Sequence, residues 1–178
     1  TTNWSVAQTA TITGVDDIIV DGTQAYSIET TSSSADPNYD AISIVDVSAT
    51  NLDDDSAGIL VSPVSGLVTS EAGGTASFTI VLSSQPTANV SIALSSSDPS
   101  EGTISTSAAV FTTSNWDTPQ TIEVTGEEDD VDDGDIAYSI VTAAAVSSDG
   151  NFSGQNPADV AVINTDNDSA GITVNPTS

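Results

Sequence analysis

The stretch Thr75-Ala76-Ser77-Phe78-Thr79-Ile80-Val81-Leu82 (residues 75–82) decides the fold class of this chain. Every second residue from Ala76 to Leu82 is apolar, and the residues between them are small, polar or β-branched. Successive side chains of a strand point to opposite faces, so this period of two predicts a half-buried β-strand. Gly73-Gly74, just ahead of it, is a turn signal.

The same alternation recurs through residues 58–169, separated by turn signals such as Asp98-Pro99 and Gly134. No stretch shows a convincing helical period. We predict about seven short strands in roughly 100 residues, which is typical of an immunoglobulin-like β-sandwich. The other predicted strands lie at 59–61 with 67–68, 90–94, 109–111, 121–125, 138–140 and 160–162.

The chain repeats itself with an offset of 112 residues, which becomes 113 after a one-residue insertion. Three matching pairs of segments show the repeat: Asn3-Trp4 with Asn115-Trp116, Ala25-Tyr26-Ser27-Ile28 with Ala137-Tyr138-Ser139-Ile140, and Asn51–Ile59 with Asn164–Ile172. A fixed period is the signature of a repeat architecture. We therefore expect residues 1–57 to be the second half of one repeat, with its last three strands, 58–169 to be a complete sandwich, and 170–178 to open a third repeat of a longer tandem array.

Charge composition excludes several classes of function. The chain has 26 Asp and Glu residues and no Lys, Arg, His, Cys or Met, for a formal net charge of -26. Binding to nucleic acid or to an anionic membrane needs basic residues. Without imidazole, thiol or amine, the chain also lacks most catalytic nucleophiles and bases. We therefore predict that it is not an enzyme.

Two acidic loops recur at the same place in the repeat. The run Gly126–Asp135 carries seven carboxylates, and its relative Gly14–Gly22 lies 112 residues upstream. An acidic cluster also ends the last strand of each repeat. The acids kept in both loops are Glu128, Asp129 and Asp133, which align with Asp16, Asp17 and Asp21.

In a sandwich of this topology, the loops that follow the first, third and fifth strands and the end of the last strand share one pole. We expect the acids on these segments to converge there. Two carboxylates about 4 Å apart repel by ~4 kcal/mol at an effective dielectric near 20, and this chain has no cation to relieve the repulsion. Ca²⁺ takes six to eight oxygen ligands in flexible geometry, whereas Zn²⁺ prefers the missing His and Cys. The alternative is that the acids are merely solvated. The predicted calcium ligands are Glu71, Asp98, Glu128, Asp129, Asp133, Asp166 and Asp168 in the complete repeat, and Asp16, Asp17, Asp21, Asp53 and Asp55 in the first.

The sequence resembles Calx-beta domains over essentially its whole length. Val68–Leu82 is similar to the opening of such domains, with a Glu before small turn residues and then a strand. Paired acids followed by a spaced acid in the 126–135 loop, and an acidic cluster at the end of the last strand, complete the resemblance. Asp98-Pro99 stands where Calx-beta domains carry an Asp-Tyr after their third strand. The resemblance implies arrays of repeats in large bacterial surface proteins such as adhesin stalks.

The expected function is that of a structural extender repeat in an extracellular adhesin or filament, rigidified by Ca²⁺ at the domain junctions. The expected partners are neighbouring repeats of the same chain and other copies in a filament. One alternative is a ligand- or glycan-binding adhesion module, with Trp116 and the loop 143–157 as its candidate residues. Another is a filament subunit in which residues 170–178 complete a sandwich on another chain.

Overall fold

The computed structural model describes residues 3–174, so part of the expected third repeat, 175–178, lies outside the described residues. The chain divides into two compact units: an N-terminal unit that ends at Asp55 and a C-terminal unit that begins at Ser56. Every regular element in the described residues is a β-strand. Across residues 3–174 there is no helix with the length and apolar character needed to cross a membrane.

The C-terminal unit is a sandwich of two sheets. Its strands are β3 (Ile59–Ser62), β4 (Leu67–Ser70), β5 (Thr75–Leu82), β6 (Val90–Ser96), β7 (Gly102–Ile104), β8 (Ala108–Phe111), β9 (Gln120–Gly126), β10 (Ile136–Thr142), β11 (Val146–Ser147) and β12 (Val160–Thr165). One sheet has the order β3-β5-β9-β7, and the other runs β11-β6-β10-β12-β4 with β8 also paired to β6. Strands β3, β5, β9 and β7 correspond to one sheet of an immunoglobulin-like sandwich, and β6, β10 and β12 to the other, so the predicted fold class is confirmed.

The core between the sheets is built from the alternate apolar residues that the period of two singled out. Phe78, Ile80 and Leu82 of β5 are buried, as are Ile122 and Val124 of the adjacent β9. Facing strands of the other sheet contribute further buried residues: Val90, Ile92, Leu94, Tyr138, Ile140, Val160 and Val162. The two alternating faces of these strands therefore separate core from solvent.

The first strand predicted in residues 58–169, at 59–61 with 67–68, is divided into two strands that lie in different sheets. β3 pairs antiparallel with β5, whereas β4 pairs parallel with β12. The break follows from Pro63, which has no N–H to continue a ladder, and from Gly66, whose φ of 80° lies in the left-handed region. The chain therefore crosses from one sheet to the other between β3 and β4, and the end of β4 lies beside the end of β12.

The structure also contains a short strand, β7, that was not predicted. The segment predicted at 109–111 is β8, but it pairs with β6. The place beside β9 belongs to β7, a three-residue strand that pairs from Gly102↔Gly126 to Ile104↔Val124. So short a strand has too few residues to show a period of two.

The N-terminal unit contains one two-stranded antiparallel sheet, β1 (Gln24–Ile28) with β2 (Val47–Asn51). Its register, from Gln24↔Asn51 to Ile28↔Val47, is the register of β10 and β12 after the repeat offset. Residues 8–14, which align with β9 after the repeat offset, form no strand. In the C-terminal unit β9 pairs with β5 and β7, and no strand takes those places in the N-terminal unit across residues 3–55.

Candidate metal centre

The acids of the C-terminal unit gather at the pole where β4 and β12 end side by side. Parallel pairing continues to Thr165↔Ser70, and the next residue, Glu71, donates its N–H to the Thr165 carbonyl at 3.2 Å. This places Glu71 beside the segment Asp166–Asp168 that follows β12. Glu71 is only 3% exposed, which is exceptional for a carboxylate in a chain without a cation.

The first acid group consists of Glu71, Asp166 and Asp168. Each offers a carboxylate oxygen, and these oxygens all lie within 4.8 Å of one another. The Asn167 N–H donates to Glu71 Oε2 at 3.0 Å and so lowers the pKa of Glu71, but desolvation and the charges of Asp166 and Asp129 outweigh it, and the pKa is raised.

Asp166 and Asp168 occupy contrasting environments within this group. Asp166 accepts hydrogen bonds from the Asp168 N–H and the Gly134 N–H, both at 2.7 Å, and these bonds hold its pKa below the usual range. Burial raises the pKa of Asp168, and the negative charges of Asp166 and Glu128 raise it further. Asp168 Oδ2 is buried without a hydrogen-bond partner in residues 3–174. A buried anionic oxygen left unsatisfied in this way is costly.

The second acid group consists of Glu101, Asp129 and Asp133, whose ligand oxygens again lie within 4.8 Å of one another. Glu101 is 7% exposed and directly precedes β7. The Asn164 side-chain amide on β12 contacts its Oε2 at 3.4 Å. Asp129 accepts the Val131 N–H at 2.7 Å, which shapes the loop that carries Asp133.

Two further predicted ligands lie outside these groups. Glu128 accepts a hydrogen bond from the Asn167 side chain at 3.2 Å, so it lies at the margin of the first acid group. Asp98 Oδ1 accepts hydrogen bonds from the N–H and hydroxyl of Ser100 at 3.1 and 2.5 Å, so it holds its own loop together.

Glu101, three residues after Asp98, was not among the predicted ligands. Its only sequence signal is an acid next to Gly102 in the same loop. Pairing of β7 with β9 decides which acid of this loop reaches the pole: the Glu127 N–H donates to the Glu101 carbonyl at 3.0 Å, beside the start of that pairing.

Two acids of the 126–135 run, Asp132 and Asp135, align with Val20 and Thr23 of the first repeat, and both stabilise the local structure. Asp132 Oδ2 accepts the Ala170 N–H at 2.5 Å, and Asp135 Oδ1 accepts the Asp166 N–H at 3.2 Å. The segment that leaves β12 is therefore held against the acidic loop by its backbone.

The N-terminal unit brings its predicted acids together in the same local pattern. Asp53 accepts the Asp55 N–H at 2.9 Å and the Gly22 N–H at 2.6 Å, and these bonds lower its pKa. Burial raises the pKa of Asp55, and the charges of Asp53 and Asp16 raise it further. A concavity of 30 Å³ is lined by all five predicted acids of this unit: Asp16, Asp17, Asp21, Asp53 and Asp55.

The donor set fits a hard divalent cation. It consists of carboxylate oxygens, and residues 3–174 contain no His, Cys, Lys or Arg that would bind a softer metal or neutralise the acids. A cation bonded to Asp168 Oδ2 would satisfy the oxygen that lacks a partner. Glu71, Asp166 and Asp168 would hold one ion, and Glu101, Asp129 and Asp133 could hold another.

No protein-family model matches this chain, and no curated protein matches its sequence. Among solved structures, the apo form of the Calx CBD1 domain is similar at a TM-score of 0.46 and 12% identity, over 65% of this chain and 100% of that one. The periplasmic chaperone SfaE has a TM-score of 0.47 and 9% identity, over 67% of this chain and 61% of its own. Domains 4 and 5 of the surface-layer protein SbsC have a TM-score of 0.37 and 15% identity, over 84% of this chain and 74% of theirs. The all-β assignment follows from this chain's own strand order and register.

Proposed function

We propose that this chain is a non-enzymatic extender segment of an extracellular surface adhesin or filament, in which Ca²⁺ bound at the ends of repeats stiffens the domain junctions. The observation that carries the proposal is the first acid group: three carboxylates converge around a buried oxygen that has no partner, in a chain with no cation. Calcium removes the repulsion and supplies the missing partner.

The position of these acids along the chain supports a role at junctions. Ser169, Ala170 and Gly171 separate Asp168 from Ile172, which aligns with the first residue of β3 in the preceding repeat. Ala170 is itself tied to the acidic loop through Asp132. An ion that orders Asp166–Asp168 and this loop also restricts the first residues of the linker. The corresponding linker after Asp55 is Ser56-Ala57-Gly58.

An extracellular, bacterial setting is supported by the chemistry and by the resemblance to Calx-beta repeats. Extracellular calcium modules commonly bind at about 10⁻⁴–10⁻³ M, so they are filled outside cells and empty in a chelator. Neighbouring repeats of the same chain, and other copies in a filament, are the proposed partners. The side chains that would bind nucleic acid are absent.

The proposal is tested by thermal melting and small-angle scattering of the chain in calcium and in EGTA. At a hundredfold excess over its dissociation constant, one ion adds ~2.7 kcal/mol to the unfolding free energy. We expect a higher Tm and a narrower distribution of particle dimensions in calcium.

Glu71→Gln should abolish most of the calcium-dependent rise in Tm, since it removes the buried carboxylate of the first acid group. Asp117→Asn is the matched control: Asp117 is exposed and lies outside both acid groups, so its calcium response should equal that of the unmodified chain. Identical melting and scattering in calcium and EGTA would refute the proposal.

A further inference from the structure

The N-terminal unit exposes apolar side chains whose counterparts are buried in the C-terminal unit. We call this set, Ile12, Tyr26, Tyr39 and Val47, the open face. After the repeat offset, the exposures compare as follows: Ile12 46% with Val124 0%, Tyr26 38% with Tyr138 5%, Tyr39 64% with Phe152 1%, and Val47 51% with Val160 0%. The same kinds of side chain therefore form a core in one unit and a surface in the other.

In the C-terminal unit, the residues that bury this face come from 58–112 of the same chain. β5 pairs with β9 along six residues, β6 pairs with β10, and β4 pairs with β12. Buried side chains from these strands, such as Phe78 and Ile92, fill the space against β9, β10 and β12.

The two strands of the N-terminal unit also have unpaired outer edges. β1 and β2 pair with each other in the register of β10 and β12, but neither has a second strand partner among residues 3–55. In the C-terminal unit those outer edges are taken by β6 and β4. An unpaired strand edge is a template for another strand.

Charge selects among the segments that could cover the open face. Residues 58–112 contain only three acids, Glu71, Asp98 and Glu101, whereas residues 1–57 contain ten. An assembly of two N-terminal units would therefore combine two sets of ten acids with no cation to offset them. A segment like 58–112 adds the fewest like charges and carries the matching apolar pattern.

We propose that the open face binds a half-repeat polypeptide of the kind formed by residues 58–112, which completes it as a β-sandwich. The occupant contributes strands equivalent to β4, β5 and β6, and residues 8–14 become a strand equivalent to β9 when it docks. This proposal rests on the repeated sequence and the exposed residues, and not on calcium.

The test places a second copy of residues 58–112 directly ahead of Thr1. The repeat offset aligns Thr1 with Thr113, so this junction reproduces the spacing within the C-terminal unit. Hydrogen–deuterium exchange is measured in EGTA, which separates this result from that of the calcium experiment. We expect amides of 8–14 to slow by at least about a hundredfold on extension and to approach those of 121–125 in β9, the internal reference.

The matched control carries Phe78→Asp and Ile92→Asp in the added copy only. It should leave residues 8–14 exchanging as fast as in the unextended chain. Fast exchange of 8–14 in the fully apolar extension, or fast exchange of the added copy itself, would overturn the proposal. Slow exchange of 8–14 in the unextended chain, together with a dimer in sedimentation, would identify a second copy as the occupant and would also overturn it.

Discussion

Residues 8–14 and residues 120–126 have closely similar sequences and different structures. Gln8-Thr9-Ala10-Thr11-Ile12-Thr13-Gly14 forms no strand, whereas Gln120-Thr121-Ile122-Glu123-Val124-Thr125-Gly126 is β9, the centre of a sheet. β9 gains partners on both edges from β5 and β7, and Ile122 and Val124 are buried under the facing sheet. The segments share four of their seven residues, and Ile12 matches the β-branched Val124, so the difference points to pairing and burial more than to local β-propensity.

The largest expected effect comes from breaking the contact between β5 and β9, which residues 8–14 lack. Phe78→Ala should destabilise the C-terminal unit by about 3–5 kcal/mol, because it removes a buried aromatic side chain and leaves a cavity. Ile12→Ala, at an exposed position in 8–14, should cost little. Chemical denaturation followed through Trp116, which packs against the core, measures the first change. Equal effects of the two substitutions would contradict the comparison.

The two acidic sites provide the next contrast. Asp168→Asn should weaken calcium binding by about tenfold or more, since ligand charge sets affinity in such sites. Asp55→Asn should have a smaller effect, because in the N-terminal unit no counterpart of Glu71 accompanies Asp53 and Asp55 among the described residues. Isothermal titration with Ca²⁺ compares the variants. A larger loss from Asp55→Asn than from Asp168→Asn would show that the N-terminal acids form the stronger site.

A smaller effect is expected at Tyr138 and Tyr26, which occupy equivalent positions in the two repeats. The Tyr138 hydroxyl is buried and bonds to Thr69 Oγ1 at 3.1 Å, whereas Tyr26 is exposed in the other unit. Tyr138→Phe should cost about 0.5–1.5 kcal/mol, the net worth of one hydrogen bond. Tyr26→Phe should be close to neutral. Urea midpoints of the two variants measure the difference, and a neutral Tyr138→Phe would show that this bond contributes nothing to stability.

The smallest expected effect is a pH dependence in metal-free buffer. The pKa values of Glu71 and Asp168 are raised above 4.5 and 3.8, so their ionised forms cost stability above the folded-state pKa. Lowering the pH from 7 toward 4.5 should relieve that cost and raise the Tm of the C-terminal unit slightly. Below 3.8 the trend should reverse, because Asp166, with a lowered pKa, then loses its stabilising charge.

In calcium, lowering the pH from 7 toward 4.5 should instead lower the Tm of the C-terminal unit, since protons compete with the ion for the same oxygens. The double variant Glu71→Gln and Asp168→Asn should flatten the rise between pH 7 and 4.5 in metal-free buffer. A Tm that falls steadily from pH 7 in the absence of metal would contradict the assigned directions of the pKa shifts.

Much of the candidate site was predictable, because its acids follow strand ends that the period of two already indicates. Glu71 follows β4, and Asp166 and Asp168 follow β12, so a sandwich topology places them at one pole. Glu101 was not predicted, and Asp98 was chosen from the same loop. Both are acids on one short turn, and only the pairing of Gly102 with Gly126 shows which of them joins Asp129 and Asp133.

By itself, the sequence determined the strand period of residues 75–82, the 112-residue repeat, the absence of every cation and the acids at the strand ends. These are local or compositional properties, which need no knowledge of distant partners. Tertiary structure alone decided that β3 and β4 lie in different sheets, that Glu101 reaches the acidic pole, and that 120–126 is a strand while 8–14 is not. Each of these depends on which segment pairs with which, and pairing is settled by burial between residues far apart in the chain.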